Sequence, residues 1–158
     1  MRNHLPILVL AAACAACQNK DGGEATSQLH SPSGIDGKPH HELLAEWQDL
    51  ASRSEGRMTA IEYGRSMNSM PLVGIKIQNP GADKSKKRPA VLLTDALHGD
   101  EYTNIVDRLP GEFLKATPDS ATGRFLAGGG AILLVPIVNP DGYAAKQRAN
   151  GEGLDLNR

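Results

Sequence analysis

The sequence predicts an α/β domain with a mixed, mostly parallel central sheet flanked by helices. Three observations lead there. Two apolar runs, "PAVLLTDAL" from Pro89 and "AILLVPIV" from Ala131, lack the alternation of a half-exposed strand and read as strands covered on both faces. "RMTAIEYG" and "PLVGIKI", separated by a polar stretch, read as a hairpin. Helical periodicity precedes the hairpin and recurs between the two buried runs, so the order is helix, hairpin, strand, helix, strand.

The first residues are expected to stand outside that domain. "MRNHLPILVLAAACAACQNK" has a basic start at Arg2, an apolar core over residues 5–13, and small residues around Cys14 and Cys17. That is the layout of a secretory signal peptide, and the run is too short to span a bilayer. Both cysteines of the chain sit here, so they form no disulfide framework for the domain. The stretch resembles a bacterial lipoprotein signal, in which the cysteine becomes the lipidated first residue of the mature chain. Cys17 fits that role best, because the polar "QNKDGGEATSQ" follows it; Cys14 and a plain cleaved signal are the alternatives. Such signals usually carry Leu three places before the cysteine, and Leu10 lies four before Cys14. Residues 1–17 are thus read as an export signal that places the protein in the cell envelope, with membrane contact only through a lipidated N-terminus. Residues 18–39, rich in Gly, Ser, Pro, Asp and Lys, read as a flexible tether, and residues 40–158 as the domain.

Within the domain, "PHHELLAEWQDLASRSEG" places Leu43, Leu44, Trp47, Leu50 and Ala51 on one helical face, with Gly56 positioned to end the helix. In "PLVGIKI", Val73, Ile75 and Ile77 alternate, and "MNSM" makes the turn before it. A further helix is expected from about Glu101, with Ile105, Val106 and Leu109 sharing a face and Pro110 breaking or restarting it before Phe113 and Leu114. "AGGG" leads into the second buried strand. No internal repeat is visible. The 158 residues suit one domain, and a net charge of -1 with few aromatics argues against a nucleic-acid partner. The basic run "KSKKR" reads as a solvated loop between strands.

The chemistry lies where the buried strands end. Ligands of open α/β sheets bind at the carboxyl edge of the strands, and "LHGDE" follows one buried run while "NPDG" follows the other. If those strands are neighbours, both motifs share one rim. His98 offers an imidazole nitrogen and Glu101 a carboxylate oxygen, both ordinary zinc ligands. Gly99 between them is read as allowing a sharp turn. Residues Asn139 to Gly142 read as a tight turn by composition. Arg148 and Arg158 stand ten apart, with Asn157 beside the second. Arginine forks suit a substrate carboxylate or a developing oxyanion. Each of these residues alone is more often an ordinary surface group than a functional one.

Taken together, "HGDE", "VPIVNPDG" and "RANGEGLDLNR", with "YGRSMNSMPLVGIKI" upstream, resemble the zinc carboxypeptidase family, the M14-type peptidases. The resemblance runs from about Glu42 to Arg158, and in motif form it is closest to bacterial murein-peptide amidase-like members. It implies that His98 and Glu101 are zinc ligands. It implies that Arg148 polarises the scissile carbonyl, and that Asn157 and Arg158 grip the substrate's terminal carboxylate. The implied cofactor is Zn2+, and the implied substrate is a peptide, including the stem peptides of peptidoglycan. Two positions depart from the pattern. Asp100 stands where pancreatic-type members carry arginine, and Ser69 and Met70 replace the usual Gly-Arg of the hairpin turn.

The family's third zinc ligand is a histidine well downstream of the Asn-Arg pair, and its general-base glutamate lies further on. No histidine follows His98; His40 and His41 stand at the domain's leading edge and His30 in the tether. The chain therefore reads as the N-terminal portion of a zinc carboxypeptidase domain, expected to be inactive and poorly soluble by itself. The alternatives are a zinc deacylase of the desuccinylase type, which shares a His-Gly-x-Glu start, and a non-catalytic remnant or binding protein.

Overall fold

The structure, a computed structural model, describes residues 37–82 and 87–158 together with the backbone of Ile7–Ala11. Cys14, Cys17, most of the expected tether and part of "KSKKR" lie outside the described residues. Five strands form one mixed sheet: β1 (Ile7–Ala11), β2 (Met58–Arg65), β3 (Pro71–Ile77), β4 (Ala90–Thr94) and β5 (Ala131–Val135), in the order β1-β4-β5-β3-β2. The β1–β4 and β4–β5 pairs are parallel, and the β5–β3 and β3–β2 pairs antiparallel. The helices are α1 (His40–Ser52), α2 (Leu109–Leu114), α3 (Ala121–Ala127) and α4 (Pro140–Ala145).

One face of the sheet carries the core. Along β3 and β5 the alternate residues Ile75, Ile77, Ile132 and Leu134 are at most 5% exposed, and they pack with Leu43 and Trp47 of α1 and Leu126 of α3. α1 forms on the apolar stripe read from sequence, with Glu42 in its first turn favourably placed against the helix dipole. It ends at Ser52, and the turn that follows takes the chain away through Glu55 and Gly56 at left-handed φ of 55° and 78°. The opposite face is more open. Ile61 and Tyr63 of β2 are 45% and 54% exposed, and every residue of β4 is only half-buried, so β4 is not the doubly covered strand its composition suggests.

Several elements differ from the sequence reading. Residues 101–108 contain no helix, with bends and turns over 104–108, and the helix starts only at Leu109, with Pro110 in its first turn rather than as a mid-helix break. Proline lacks the N–H an interior helical position needs, and a first turn does not use it. Helix α3 was not foreseen; Ser120 caps it by accepting from the Gly123 N–H at 2.9 Å. "NPDG" is the start of α4 rather than an isolated turn, because Asn139 accepts from the Gly142 N–H at 2.9 Å as an N-cap. Ile7–Ala11, expected outside the fold, pairs in parallel register along β4 from Ile7↔Ala90 to Ala11↔Thr94. A run apolar enough for an export signal also suits an open strand edge, whose unpaired N–H and C=O groups accept any extended partner. In the hairpin turn, Ser69 has φ 62°, left-handed backbone that glycine would adopt more easily.

Candidate metal and substrate site

β4 and β5 are adjacent and parallel, with Thr94 opposite Val135, so the segments that follow them leave from the same end of the sheet. Backbone hydrogen bonds extend the pairing beyond the strands: Asp95 N–H to Val135 O (3.1 Å), Val138 N–H to Asp95 O (3.1 Å) and Asn139 N–H to Ala96 O (3.0 Å). Ala96 sits there at a left-handed φ of 47°, and its N–H donates to Asp95 Oδ1 at 2.7 Å. Burial raises the Asp95 carboxyl above its ordinary pKa, opposed by the hydrogen bonds from Thr103 and Ala96.

The two rim segments touch backbone to backbone. A methyl at Gly99 would lie 1.8 Å from the Gly142 carbonyl carbon and 2.1 Å from the Tyr143 nitrogen. Gly99 has no positive φ, so close approach rather than a sharp turn is what requires glycine. This contact seats His98 and Glu101 against the start of α4.

Four side chains then close a ring. His98 Nδ1 lies 2.8 Å from Glu101 Oε2, and His98 Nε2 lies 3.0 Å from Asp155 Oδ1. Arg148 donates from Nη1 to Glu101 Oε1 at 2.9 Å and from Nε to Asp155 Oδ2 at 2.8 Å. His98 is 4% exposed. Burial alone would lower its pKa, but the hydrogen bonds with Glu101 and Asp155 outweigh it and the net shift is upward. Asp155 is held well below the usual carboxylate range by the Asn157 N–H and the Arg148 guanidinium. Arg158 is 81% exposed, its Nε 3.4 Å from Asp155 Oδ2, and Asn157 reaches the same carboxylate through its backbone N–H at 2.9 Å. The structure thus brings His98, Glu101, Arg148, Asn157 and Arg158 to one place.

Asp155 contacts four of these five directly, all but Glu101, and the sequence reading gave it no role. Its signal was present: an acid between two arginines, inside the specific Asp-Leu-Asn-Arg run. Asn139 and Asp141 were likewise read only as turn residues. Asp141, 4% exposed, accepts from Ser66 Oγ at 2.6 Å and the Asn68 N–H at 3.3 Å, which fastens the β2–β3 turn to α4.

The donor set fits a metal in part. His98 Nδ1 and Glu101 Oε2 converge, and a carboxylate braces the outer imidazole nitrogen, as is usual for metal-bound histidine. Among the described residues no group of three or more His, Cys, Asp or Glu side chains could hold a metal ion.

Comparison with known proteins agrees with this architecture. Metallocarboxypeptidase A of Trichophyton rubrum is 27% identical over 138 residues, covering 84% of this chain and 32% of the relative. Carboxypeptidase E of Caenorhabditis elegans is 26% identical over 172 residues, covering 97% and 36%. The chain therefore spans about a third of the length of the relatives it matches. The fold resembles carboxypeptidase A from Helicoverpa armigera, with a TM-score of 0.59 and 22% identity over 72% of this chain and 28% of that one. The family model described as zinc carboxypeptidase matches residues 43–158, a span that holds the hairpin, the rim and the whole ring of side chains; the chain belongs to the zinc carboxypeptidase family.

Proposed function

We propose that this chain contributes two zinc ligands and the substrate-binding arginines of a metallocarboxypeptidase, hydrolysing the C-terminal bond of peptides. The observation that carries the reading is the convergence of His98 Nδ1 and Glu101 Oε2 at 2.8 Å, with Asp155 on the outer imidazole nitrogen and Arg148 alongside. His98 and Glu101 would hold the ion, which supplies Lewis acidity and an acidified water. Arg148, already oriented by two carboxylates, presents its guanidinium to the oxyanion that develops as the carbonyl is attacked. Arg158, largely solvent-exposed beside Asp155, is placed to receive a substrate carboxylate as a planar fork, a geometry lysine cannot reproduce. The His-Gly-Asp-Glu motif form supports cell-wall stem peptides as the substrate class. The signal-like start supports export, with lipidation at Cys17; mass spectrometry of the mature chain should find an acylated N-terminal cysteine, and a soluble form cut elsewhere would refute it.

The test of the metal reading is titration calorimetry with zinc. Two protein ligands are fewer than the three or four of ordinary zinc sites, so binding should be weak, lost on His98→Ala, and without peptide turnover in the 158-residue chain. Unchanged zinc binding by His98→Ala would overturn the ligand assignment.

A further inference from the structure

We propose that Asn139 is a positioning residue that holds Arg148 in register with the His98–Glu101 pair. The inference rests on the roles just given to those three residues. Asn139 is 2% exposed and lies where β5 gives way to α4. Its backbone N–H donates to Ala96 O, two residues before His98. Its side-chain Oδ1 accepts from the Gly142 N–H at 2.9 Å, and Gly142 is the residue against which Gly99 packs. Its Nδ2 donates the other way, to Ala149 O at 3.1 Å and Arg148 O at 3.4 Å. The partners determine the orientation of the amide: an N–H faces one end and carbonyls face the other, so only one assignment of O and N satisfies both.

Arg148 needs such an anchor. Helix α4 ends at Ala145, Lys146 turns the chain through a left-handed φ of 51°, and residues 146–158 contain no helix or strand. Side-chain ion pairs orient the guanidinium, but they do not place the backbone that carries it. Within that stretch, the carbonyls of Arg148 and Ala149 are tied to the sheet end through one buried amide. A buried amide with both ends satisfied is rigid, and a donor facing those carbonyls cannot be replaced by an acceptor without repulsion. Together with the Gln147 N–H to Gly142 O bond at 2.9 Å, that side chain sets the distance between the metal-ligand side and the arginine side.

Two substitutions separate this role from simple helix capping. Asn139→Asp keeps an oxygen for the Gly142 N–H but turns an acceptor toward the carbonyls. Asn139→Ser also caps well but is too short to reach them. The readout is solvent exchange of the Arg148 Nε–H by NMR in the full chain, with the single Trp47 indole N–H, which donates to Asp107 O at 3.4 Å, as an internal reference. Arg148 Nε–H exchange should accelerate by about tenfold or more in both variants while the Trp47 signal is unchanged, as expected for the loss of a hydrogen-bonded restraint. Unchanged Arg148 exchange in either folded variant overturns the proposal. Collapse of both signals in both variants also overturns it, because Asn139 would then support the fold and not the arginine. Zinc titration of the unsubstituted chain distinguishes the two readings: absence of zinc binding defeats the peptidase assignment and leaves the exchange comparison intact.

Discussion

His98 and Glu101 leave the end of β4, where the backbone of Asp95 and Ala96 is bonded to β5 and its continuation, and Gly99 is seated on Gly142. Arg148, Asn157 and Arg158 come from residues 146–158, where no helix or strand forms and where Asp155 is the common partner. One side of the site is held by backbone contact between the ends of two strands, and the other mainly by charges and side-chain amides, with a few backbone bonds from Gln147 to Gly142 and within residues 150–154. The first should respond most to added volume, and the second most to the loss of a charge.

The largest effect expected from this contrast is at glycine. Gly99→Ala would place a methyl 1.8–2.2 Å from three backbone atoms of Gly142 and Tyr143, none of which can rotate away. The rim segments must separate, and we expect a loss of about 3 kcal/mol or more, at the upper end of overpacking effects. Gly153, in the second region, has nothing within 4 Å of such a methyl, and only its φ of 79° opposes alanine. Gly153→Ala should cost about 1 kcal/mol, the penalty of left-handed backbone for an L-residue. Urea denaturation of both variants checks the ratio; equal losses would erase the distinction.

The same contrast explains what was legible in the sequence. The strands that carry the site announce themselves through apolar runs and alternation, so β2 to β5 and α1 fall close to where composition puts them. Residues 101–108 misled because Ile105, Val106 and Leu109 have helical spacing, yet Val106 is buried without a helix and Ile105 is 58% exposed. The arginines were legible only as part of a motif, since nothing in a loop's periodicity says where it folds back. Asp155 was visible in the same motif, but its partners were not: they lie 57 and 7 residues away, and only closure of the loop brings them together. The reason for Gly99 was misread because a close approach between two backbones leaves no mark in one of them.

A second effect should appear in charge. Asp155→Asn keeps the shape but removes the charge that braces His98 and Arg148, so zinc affinity should fall by about 10–100-fold, as for other outer partners of metal-bound histidine. Calorimetry against the unsubstituted chain measures it, and unchanged affinity would detach Asp155 from the site. In the metal-free chain, pH should act on the same ring from both sides. Asp155 is depressed from 3.8, so its contribution is present above 3.8 and is lost as pH falls through its lowered folded value. His98 is raised from 6.5, so its contribution is present below 6.5 and is lost as pH rises through its raised folded value. Asp95, raised from 3.8 at the strand end, has the opposite sign to Asp155. The folded state binds its proton more tightly, so the strand end gains stability as pH falls from that raised value toward 3.8. Acid should therefore release Arg148 before it disturbs β4, which NMR exchange at both places would follow. Simultaneous loss would mean that the two regions are one cooperative unit.

The smallest effects concern two left-handed residues, one in each region. Ala96 and Lys146 have φ of 47° and 51°, and in both cases replacement by glycine relieves about 1–2 kcal/mol of backbone strain. Glycine also brings an entropic cost of about 0.5–1 kcal/mol, because the unfolded chain gains freedom. At Ala96, which is 2% exposed, the lost methyl removes a further contribution of about 0.8 kcal/mol. The three terms nearly cancel, so Ala96→Gly should change stability by less than about 0.5 kcal/mol. Lys146 is exposed at the C-cap of α4, where its N–H already bonds to Gly142 O and Tyr143 O, so no buried methyl is lost. Lys146→Gly should stabilise by about 0.5–1 kcal/mol, since glycine is the residue that helix ends of this form favour. The difference between the variants, read from paired denaturation midpoints, sets the Ala96 methyl against what the Lys146 side chain contributes, because the backbone terms are shared. A gain of about 1 kcal/mol or more in Ala96→Gly would mean that the Ala96 methyl contributes nothing, and that the strand end is loosely packed.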